Sequence, residues 1–362
     1  MSRRADVLIV GAGIAGASLA AEIAGEASVI LLEAEDQPGY HSTGRSAAFW
    51  AESYGGPAVQ PLTSASGPLL RDGGFLSPRG ALHIADAEGR EVLEAMEREF
   101  AGAVELRQVD IRSVLPLARP GWESALIEPS CADIDVAALH ASYLKTARAK
   151  GAQLVTGTRL HEARREDGCW LVETDAGTFE ADILANAAGA WADEVAAAAG
   201  VQPLGIRPHR RTLVQVRVDP PAAAELPLVI DALGRFYFKS EAGGRLWLSP
   251  HDETPCEAGD SAPEEYDVAL AIDRFERAMD MRVERVERSW AGLRSFAPDR
   301  VPAYGFAAGR RDFFWFAGQG GFGIQTAPAA AKLAASLLLG TEPDPAVADL
   351  DPWPYDPGRF AN

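Results

Sequence analysis

The stretch Ala5-Asp-Val-Leu-Ile-Val-Gly-Ala-Gly-Ile-Ala-Gly-Ala-Ser-Leu-Ala20 constrains the fold of this chain more than any other. Val7 to Val10 is a short apolar run rich in β-branched residues, which predicts a buried parallel strand. Gly11, Gly13 and Gly16 follow as G-x-G-x-x-G. Gly11 suits a tight turn, Gly13 lets backbone approach a diphosphate, and Gly16 lets the next helix lie close to the strand. Ile14, Ala15 and the small residues to Ala24 predict that helix, whose N-terminus offers free N–H groups to an anion. A second apolar strand, Val29 to Leu32, ends in Glu33. An acid at that point is placed to accept hydrogen bonds from a ribose diol and opposes a 2′-phosphate. Strand, glycines, helix, strand and acid in this order predict a βαβ dinucleotide site of the FAD or NAD kind, not NADP.

The 362 residues allow two domains and a large core. A formal net charge of −18 argues against nucleic acid or an anionic membrane as partner. Cys131, Cys169 and Cys256 lie far apart, and the six histidines occur singly, so neither a disulfide framework nor a metal site is expected. No apolar run reaches the length of a membrane helix, and the early strand leaves no room for a leader, so the expected compartment is the cytoplasm.

Further along, Tyr40-His-Ser-Thr-Gly-Arg-Ser-Ala-Ala48 is rich in small and hydroxylated residues. It predicts a helix start near Ser42 to Ser46 that either meets a phosphate or is simply capped. Glycines beside aromatics in Phe49-Trp-Ala-Glu-Ser-Tyr-Gly-Gly56 suggest a mobile lid. Glu88 to Phe100 reads as a charged amphipathic helix. Asp133 and Asp135 suit turn and N-cap roles better than metal ligation. Gln153 to Thr156 predicts a strand, and Cys169–Thr174 with Thr178–Glu180 a hairpin about Asp175-Ala-Gly177. Ala181-Asp-Ile-Leu-Ala-Asn-Ala-Ala-Gly-Ala-Trp191 is a strand ending in small residues. Arg210 and Arg211 adjoin the alternating strand Thr212 to Arg217, so one can face a pocket and the other solvent. Gly244 to Ser249 is a further strand, Ala262 to Met281 an amphipathic helix, and the tail from Glu342 is irregular. Phe313-Phe-Trp-Phe-Ala-Gly-Gln-Gly-Gly-Phe-Gly-Ile-Gln-Thr326 is an aromatic strand that enters a glycine turn and then a helix to about Leu339.

Five stretches together resemble the FAD-dependent D-amino-acid oxidase superfamily, with the D-arginine dehydrogenase group nearest. They are the N-terminal glycine motif, Gly39 to Ala48, Asn186-Ala-Ala-Gly-Ala-Trp191, and Trp290-Ala-Gly-Leu-Arg294 with the glycine turn after Ala317. The resemblance runs from Asp6 to roughly Leu339 and implies a helix at about Ala137 to Lys150. It implies an α/β fold with a Rossmann-like FAD-binding domain, discontinuous over 1–75, 136–204 and 294–362. A mixed α+β substrate domain would take 76–135 and 205–293. It implies non-covalent FAD held by Gly11, Gly13, Ile14, Ala15, Gly16, Glu33, Ala34, His41, Ser42, Thr43, Arg45, Ser46, Ala47, Ala48, Leu160, Ala188, Gly189, Trp191, Gly320, Gly321, Gly323, Ile324 and Gln325. Arg211 and Arg294 would bind a substrate carboxylate, Tyr237 would add a hydrogen bond and Tyr54 would shield the substrate. Phe49, Ala81, Leu228, Ile230 and Gly321 would wall the pocket. The group often has histidine at the position of Phe49 and an acid near Ala81, so an apolar substrate side chain is as well accommodated as a cationic one. Glu52 and Asp86 are the nearby acids that could substitute.

The implied reaction is oxidation of a D-amino acid by hydride transfer to flavin N5, the imine then hydrolysing to 2-oxo acid and ammonia. Oxygen or a membrane quinone would reoxidise the flavin. The alternatives are a flavoenzyme for 2-hydroxy acids or N-methyl amino acids, and a non-catalytic FAD protein of electron transfer or assembly.

Overall fold

In a computed structural model that describes residues 3–361, the first apolar run lies inside the strand Arg4–Val10, which is followed by the helix Ile14–Ile23 and the strand Val29–Leu32. The expected βαβ order holds. Arg4–Val10 pairs in parallel with Val29–Leu32 on one side and Gly177–Asn186 on the other. Gln153–Val155 extends the parallel set beyond Val29–Leu32. Gly177–Asn186 is long enough for two partners along its second edge. Cys169–Thr174 pairs antiparallel with its first half, and Phe313–Ala317 pairs in parallel with its last residues. Both faces of this eight-stranded sheet are covered. Val7 and Ile9 point into a cluster with Leu19, Phe314 and Leu333, while Leu8 and Val10 point into one with Trp170, Leu184 and Trp315. That is why the run is apolar without alternation.

A second sheet has ten strands. Arg207–Asp219 and Arg282–Phe296 form its long antiparallel ladder, and Arg245–Ser249, Tyr237–Glu241, Leu228–Asp231, Ala81–Ala85 and Ser124–Glu128 continue it. Here residues alternate. Val214, Phe238, Val229 and Leu82 pack under the helix Glu265–Ala278 with Phe275, whereas Leu213, Tyr237, Ile230 and Ala81 form a cluster on the opposite face. That opposite face turns toward the first sheet and holds the site. As a working division we propose that the first sheet and its helices make the cofactor-binding part and the second sheet the substrate part. The cut at 293/294 falls inside the strand Arg282–Phe296, and the terminal residues 1, 2 and 362 of the outer segments lie outside the described residues.

Several local expectations change. The helix read as Ala262 to Met281 is the shorter Glu265–Ala278, and that read as Glu88 to Phe100 is Arg90–Glu99. The helix start expected near Ser42 to Ser46 is a single 3-10 turn, Thr43–Arg45, because Ser46 has extended backbone. Asp135 does cap the helix Val136–Ala149, accepting from the Ala138 N–H at 2.9 Å. Asp133 has neither a turn nor a cap role. It lies on the strand Ala132–Ile134 and pairs with Arg79 at 2.5 Å and Lys239 at 2.8 Å.

The segment Phe49 to Gly56 is not a free lid. Phe49–Trp50 is a short strand paired with Asp133 and Ala132, and Phe49, Trp50, Ala51 and Ser53 are buried. Alternation separates the two aromatics. Trp50 donates to Thr63 O at 2.9 Å and packs with Leu70 and Ile134, away from the cluster that Phe49 shares with Tyr237.

Candidate functional site

The two sheets enclose a cleft of about 430 Å³. At one end, the glycine motif gives the wall its shape. Gly11 has φ +97°, and a Cβ there would stand 2.6 Å from Ala187 O. A Cβ on Gly16 would stand 1.8 Å from Gly11 O, so this residue joins helix to turn rather than lining the cleft. Gly13 does line it, with only the Thr43 hydroxyl near, at 3.2 Å. That hydroxyl accepts from the Ile14 N–H at 3.0 Å. The Glu33 carboxylate accepts from the N–H groups of Ala12 (2.9 Å) and Glu35 (3.0 Å), and it lines the cleft at the end of the second strand. Leu160, Ala188, Gly189, Trp191, Gly320, Gly321, Gly323 and Ile324 line it as well, with Ala15, Ala34 and Ala47. His41 lies 3.0 Å from Glu35 and packs on Trp191, ring centroids 4.6 Å apart. A long cleft with a backbone-rich glycine wall, a carboxylate at one end and cations at the other fits FAD.

Some expected cofactor residues spend their side chains elsewhere. The Ser42 hydroxyl donates to Leu293 O at 2.8 Å. The Arg45 guanidinium is held by Asp260 and by the carbonyls of Ser261 and Ala291, while Arg45 also lines the cleft. Ser46 Oγ accepts from the Ala48 N–H at 3.0 Å, which supports Ala48 at φ +58°. Gln325 is 2% exposed and does not line the cleft.

The other end is built on the long ladder. Arg211 stands opposite Gly292 and Arg294 opposite His209, so both arginines share the cleft face. Arg210 has the other face, where it pairs with Glu264 and with Asp267 of the covering helix rather than with solvent. Arg211 is 3% exposed. Its Nε donates to Asp252 O at 2.7 Å and its Nη2 to Glu253 at 3.0 Å, while Nη1 has no partner among the described residues. Arg294 Nη1 donates to the Tyr54 hydroxyl at 2.5 Å, and among the described residues no carboxylate lies within ion-pair distance of Arg294. The buried Tyr237 hydroxyl is also unpartnered among them. Gly321 is where the backbone passes this group. A Cβ there would stand 2.9 Å from Arg294 Nη1 and 3.0 Å from the Tyr54 hydroxyl.

The electrostatics match an anion. Burial, then the charge of Arg294, lowers the pKa of Arg211. Burial also opposes the Arg294 charge, but Tyr54, Tyr237 and Glu253 outweigh it and its pKa is raised. His251, 5.5 Å from Tyr237 between ring centroids, is pushed well below the usual histidine range by burial and then by both arginines, so its imidazole is neutral. The buried guanidinium of Arg211 and the half-buried one of Arg294, both with spare donors, form with two convergent phenols a receptor for a carboxylate.

Phe49, Leu228, Ile230 and Ala81, expected to wall the pocket, do not line the cleft themselves but form with Cys131 the apolar layer behind Tyr237, with Leu228 paired directly to Ala81. The two acids considered as substitutes for the missing one are already engaged. Glu52 accepts from the Ser64 hydroxyl at 2.5 Å, and Asp86 pairs with Arg235 at 2.8 Å. The acid nearest Ala81 in the ladder is Glu128, its direct strand partner, which the sequence reading passed over. An acid closing the apolar run Ala125-Leu-Ile is the signal that marks it. His251, Asp252 and Glu253 were missed too, and no motif in the chain flags them.

Comparison with known proteins gives a consistent picture. The family described as DAO, FAD dependent oxidoreductase, matches residues 6–337. Human mitochondrial dimethylglycine dehydrogenase is 27% identical over 97% of this chain and 44% of its own length, so the chain spans less than half of that relative. Glycine oxidase of Geobacillus kaustophilus is 25% identical over 93% of this chain and 94% of its own. The crystal structure of L-proline dehydrogenase from P. horikoshii superposes with a TM-score of 0.86 at 22% identity, covering 99% of this chain and 98% of that one, which supports the fold.

Proposed function

Since the chain belongs to the DAO family of FAD-dependent oxidoreductases, we propose that it oxidises a small monocarboxylic α-amino acid at the carbon bearing the amine. The observation that carries this reading is the pair of cleft arginines, Arg211 buried and Arg294 half-buried, with spare donors and no full complement of acids. A buried charge is stable only with a partner, and here the missing partner has the size and sign of one carboxylate.

Residues of the glycine motif, Glu33 and the turn Gly320 to Ile324 would hold the cofactor along the cleft. Bound FAD supplies the two-electron acceptor. The chain's own side chains do the orienting. Arg211 and Arg294 clamp the carboxylate, Tyr237 and Tyr54 add hydroxyl contacts, and the apolar layer with Phe49 keeps water from the reacting carbon. The substrate amine has to be neutral to release electrons, and the deprotonated substrate supplies that form without a protein base. The imine then takes up water to give 2-oxo acid and ammonia. For a chiral substrate the motif likeness supports the D series. The wall supports a small apolar side chain, because none of the nearby acids is free to pair with a cationic one.

A second reading, oxidation of an N-methylated glycine, is favoured by the likeness to dimethylglycine dehydrogenase over 97% of this chain. It keeps both arginines and changes only the amine. One experiment separates the readings. The FAD-loaded protein is mixed anaerobically with glycine, sarcosine, dimethylglycine, D- and L-alanine, D-arginine and lactate while flavin bleaching is followed. Bleaching by D-alanine or glycine supports the first reading and bleaching by the methylated glycines the second. Bleaching by lactate alone, or by none, overturns both.

A further inference from the structure

A buried polar cluster behind the Phe49 wall takes no part in the scheme above. Glu128 is fully buried, His83 is 4% exposed and Ser53 is 7% exposed. The Glu128 carboxylate accepts from the Glu52 N–H at 2.6 Å, the Ser53 N–H at 3.4 Å and the Ser53 hydroxyl at 2.5 Å, and His83 Nε2 lies 3.2 Å from it. On the other side of the same loop stands Gln325. Its amide donates to Tyr54 O at 2.9 Å and to the Thr63 hydroxyl at 3.0 Å, and its oxygen accepts from the Ala51 N–H at 3.3 Å. Residues 51 to 54 are thus gripped by two buried side chains, one from the second sheet and one from the helix Gly323–Leu339.

We propose that Glu128 is a positioning residue of the carboxylate site, acting through the loop that carries Tyr54 to set the Tyr54 hydroxyl against Arg294. The proposal rests on the carboxylate reading given above. An ionised carboxylate only accepts, so it can gather two backbone N–H groups and a hydroxyl on one point. Both backbone N–H groups meet one oxygen, Oε1, so a neutral amide keeps that grip and loses only the second accepting oxygen, whereas an alanine loses both. The loop ends at Tyr54, whose ring is wedged edge-on between Phe49 and Phe322, with centroids 5.0 and 5.3 Å away. With the ring plane fixed by packing and the backbone fixed by Glu128 and Gln325, the hydroxyl has one place to be, 2.5 Å from Arg294 Nη1. Hydrogen bonding falls off steeply with distance and angle, so a small shift of the loop would leave Arg294 without the one side-chain hydrogen bond it makes among the described residues.

The test uses FAD-loaded protein titrated with benzoate, a carboxylate with no amine to oxidise, followed by the change in flavin absorbance. Glu128→Ala is expected to weaken benzoate about tenfold, and Tyr54→Phe by a similar factor. The double variant should be no weaker than the worse single one, because both changes remove the same contact. Glu128→Gln, which keeps one accepting oxygen, should recover most of the affinity. Ser53→Ala, which removes one of the contacts, gives a second route of about threefold if Glu128→Ala does not fold. Wild-type affinity in Glu128→Ala, or full additivity of the two factors in the double variant, overturns the proposal. Full affinity in Ser53→Ala overturns it where that variant is the one available. Failure of the wild type to bind benzoate is a different result, and it overturns the carboxylate reading itself.

Discussion

The two ends of the cleft are built on opposite principles. The glycine end is made of backbone. Gly11, Gly13 and Gly16 lie within six residues, and their work is to leave space. The arginine end is made of side chains from distant strands, with Arg211 and Arg294 brought together by one antiparallel ladder and Tyr54 reaching them from a loop near the N-terminus. A backbone cradle fails through a steric clash of a single atom. A charged receptor fails through loss of a partner for a buried ion. The same size of sequence change should therefore act on different observables at the two ends.

The largest effect is expected at the glycine end. Gly16→Ala puts a methyl 1.8 Å from Gly11 O, a contact that only a shift of helix or turn relieves. The purified variant should be colourless after reconstitution, whereas the parent is yellow and releases free FAD on denaturation. A yellow Gly16→Ala protein would break the contrast. Next comes Arg294→Lys, which keeps the charge but cannot present a planar pair of donors. It should leave the flavin bound and raise KM for a carboxylate substrate, by an amount equivalent to about 2–5 kcal/mol at most. Loss of flavin together with KM would show that the two ends are not separable.

A smaller effect concerns the wall. D-arginine should show no advantage in kcat/KM over D-leucine, D-methionine or D-phenylalanine, because burying an unpaired guanidinium costs several kcal/mol and the nearby acids are engaged. A preference for D-arginine of about tenfold or more, some 1.4 kcal/mol, would mean that one of those acids is released on binding.

The smallest effect is in pH dependence. Burial works against the ionised form of Glu128, but hydrogen bonds and the charge of His83, with Ser53 and the Glu52 N–H, outweigh it and its pKa is lowered. A carboxyl group whose folded pKa lies below its unfolded one adds stability above the unfolded value and loses it as pH falls through the folded one. Melting temperature followed from about pH 7 down to about pH 3 should fall less steeply in Glu128→Gln than in the parent, by a few degrees. Parallel curves would remove Glu128 from the acid limb.

Much of the first sheet was legible because its signals are local. An unbroken apolar run, glycines at set spacing and an acid after the next run mark a buried parallel strand and its turn, and Arg4–Val10, Ile14–Ile23 and Val29–Leu32 follow them. The readings that failed depended on what a segment packs against. Phe49 to Gly56 has the composition of a lid, yet Asp133, Glu128 and Gln325 lock it in place. Asp133 has the composition of a turn, yet Arg79 and Lys239 claim it. Arg210, expected in solvent, meets a helix more than 50 residues downstream.

By itself, then, the sequence determined the βαβ unit, the acid at its end, the strand that follows Arg211 and the glycine turn after Ala317, since each depends on steric and apolar periodicity within a few residues. Tertiary structure alone decided that Arg211 and Arg294 share a face with spare donors, that Tyr54 meets one of them, and that Glu128 rather than Glu52 or Asp86 lies beside Ala81. The reason is physical. A charge is defined locally, but whether it is free to bind depends on every other charge and donor that the fold carries to within a few ångströms of it.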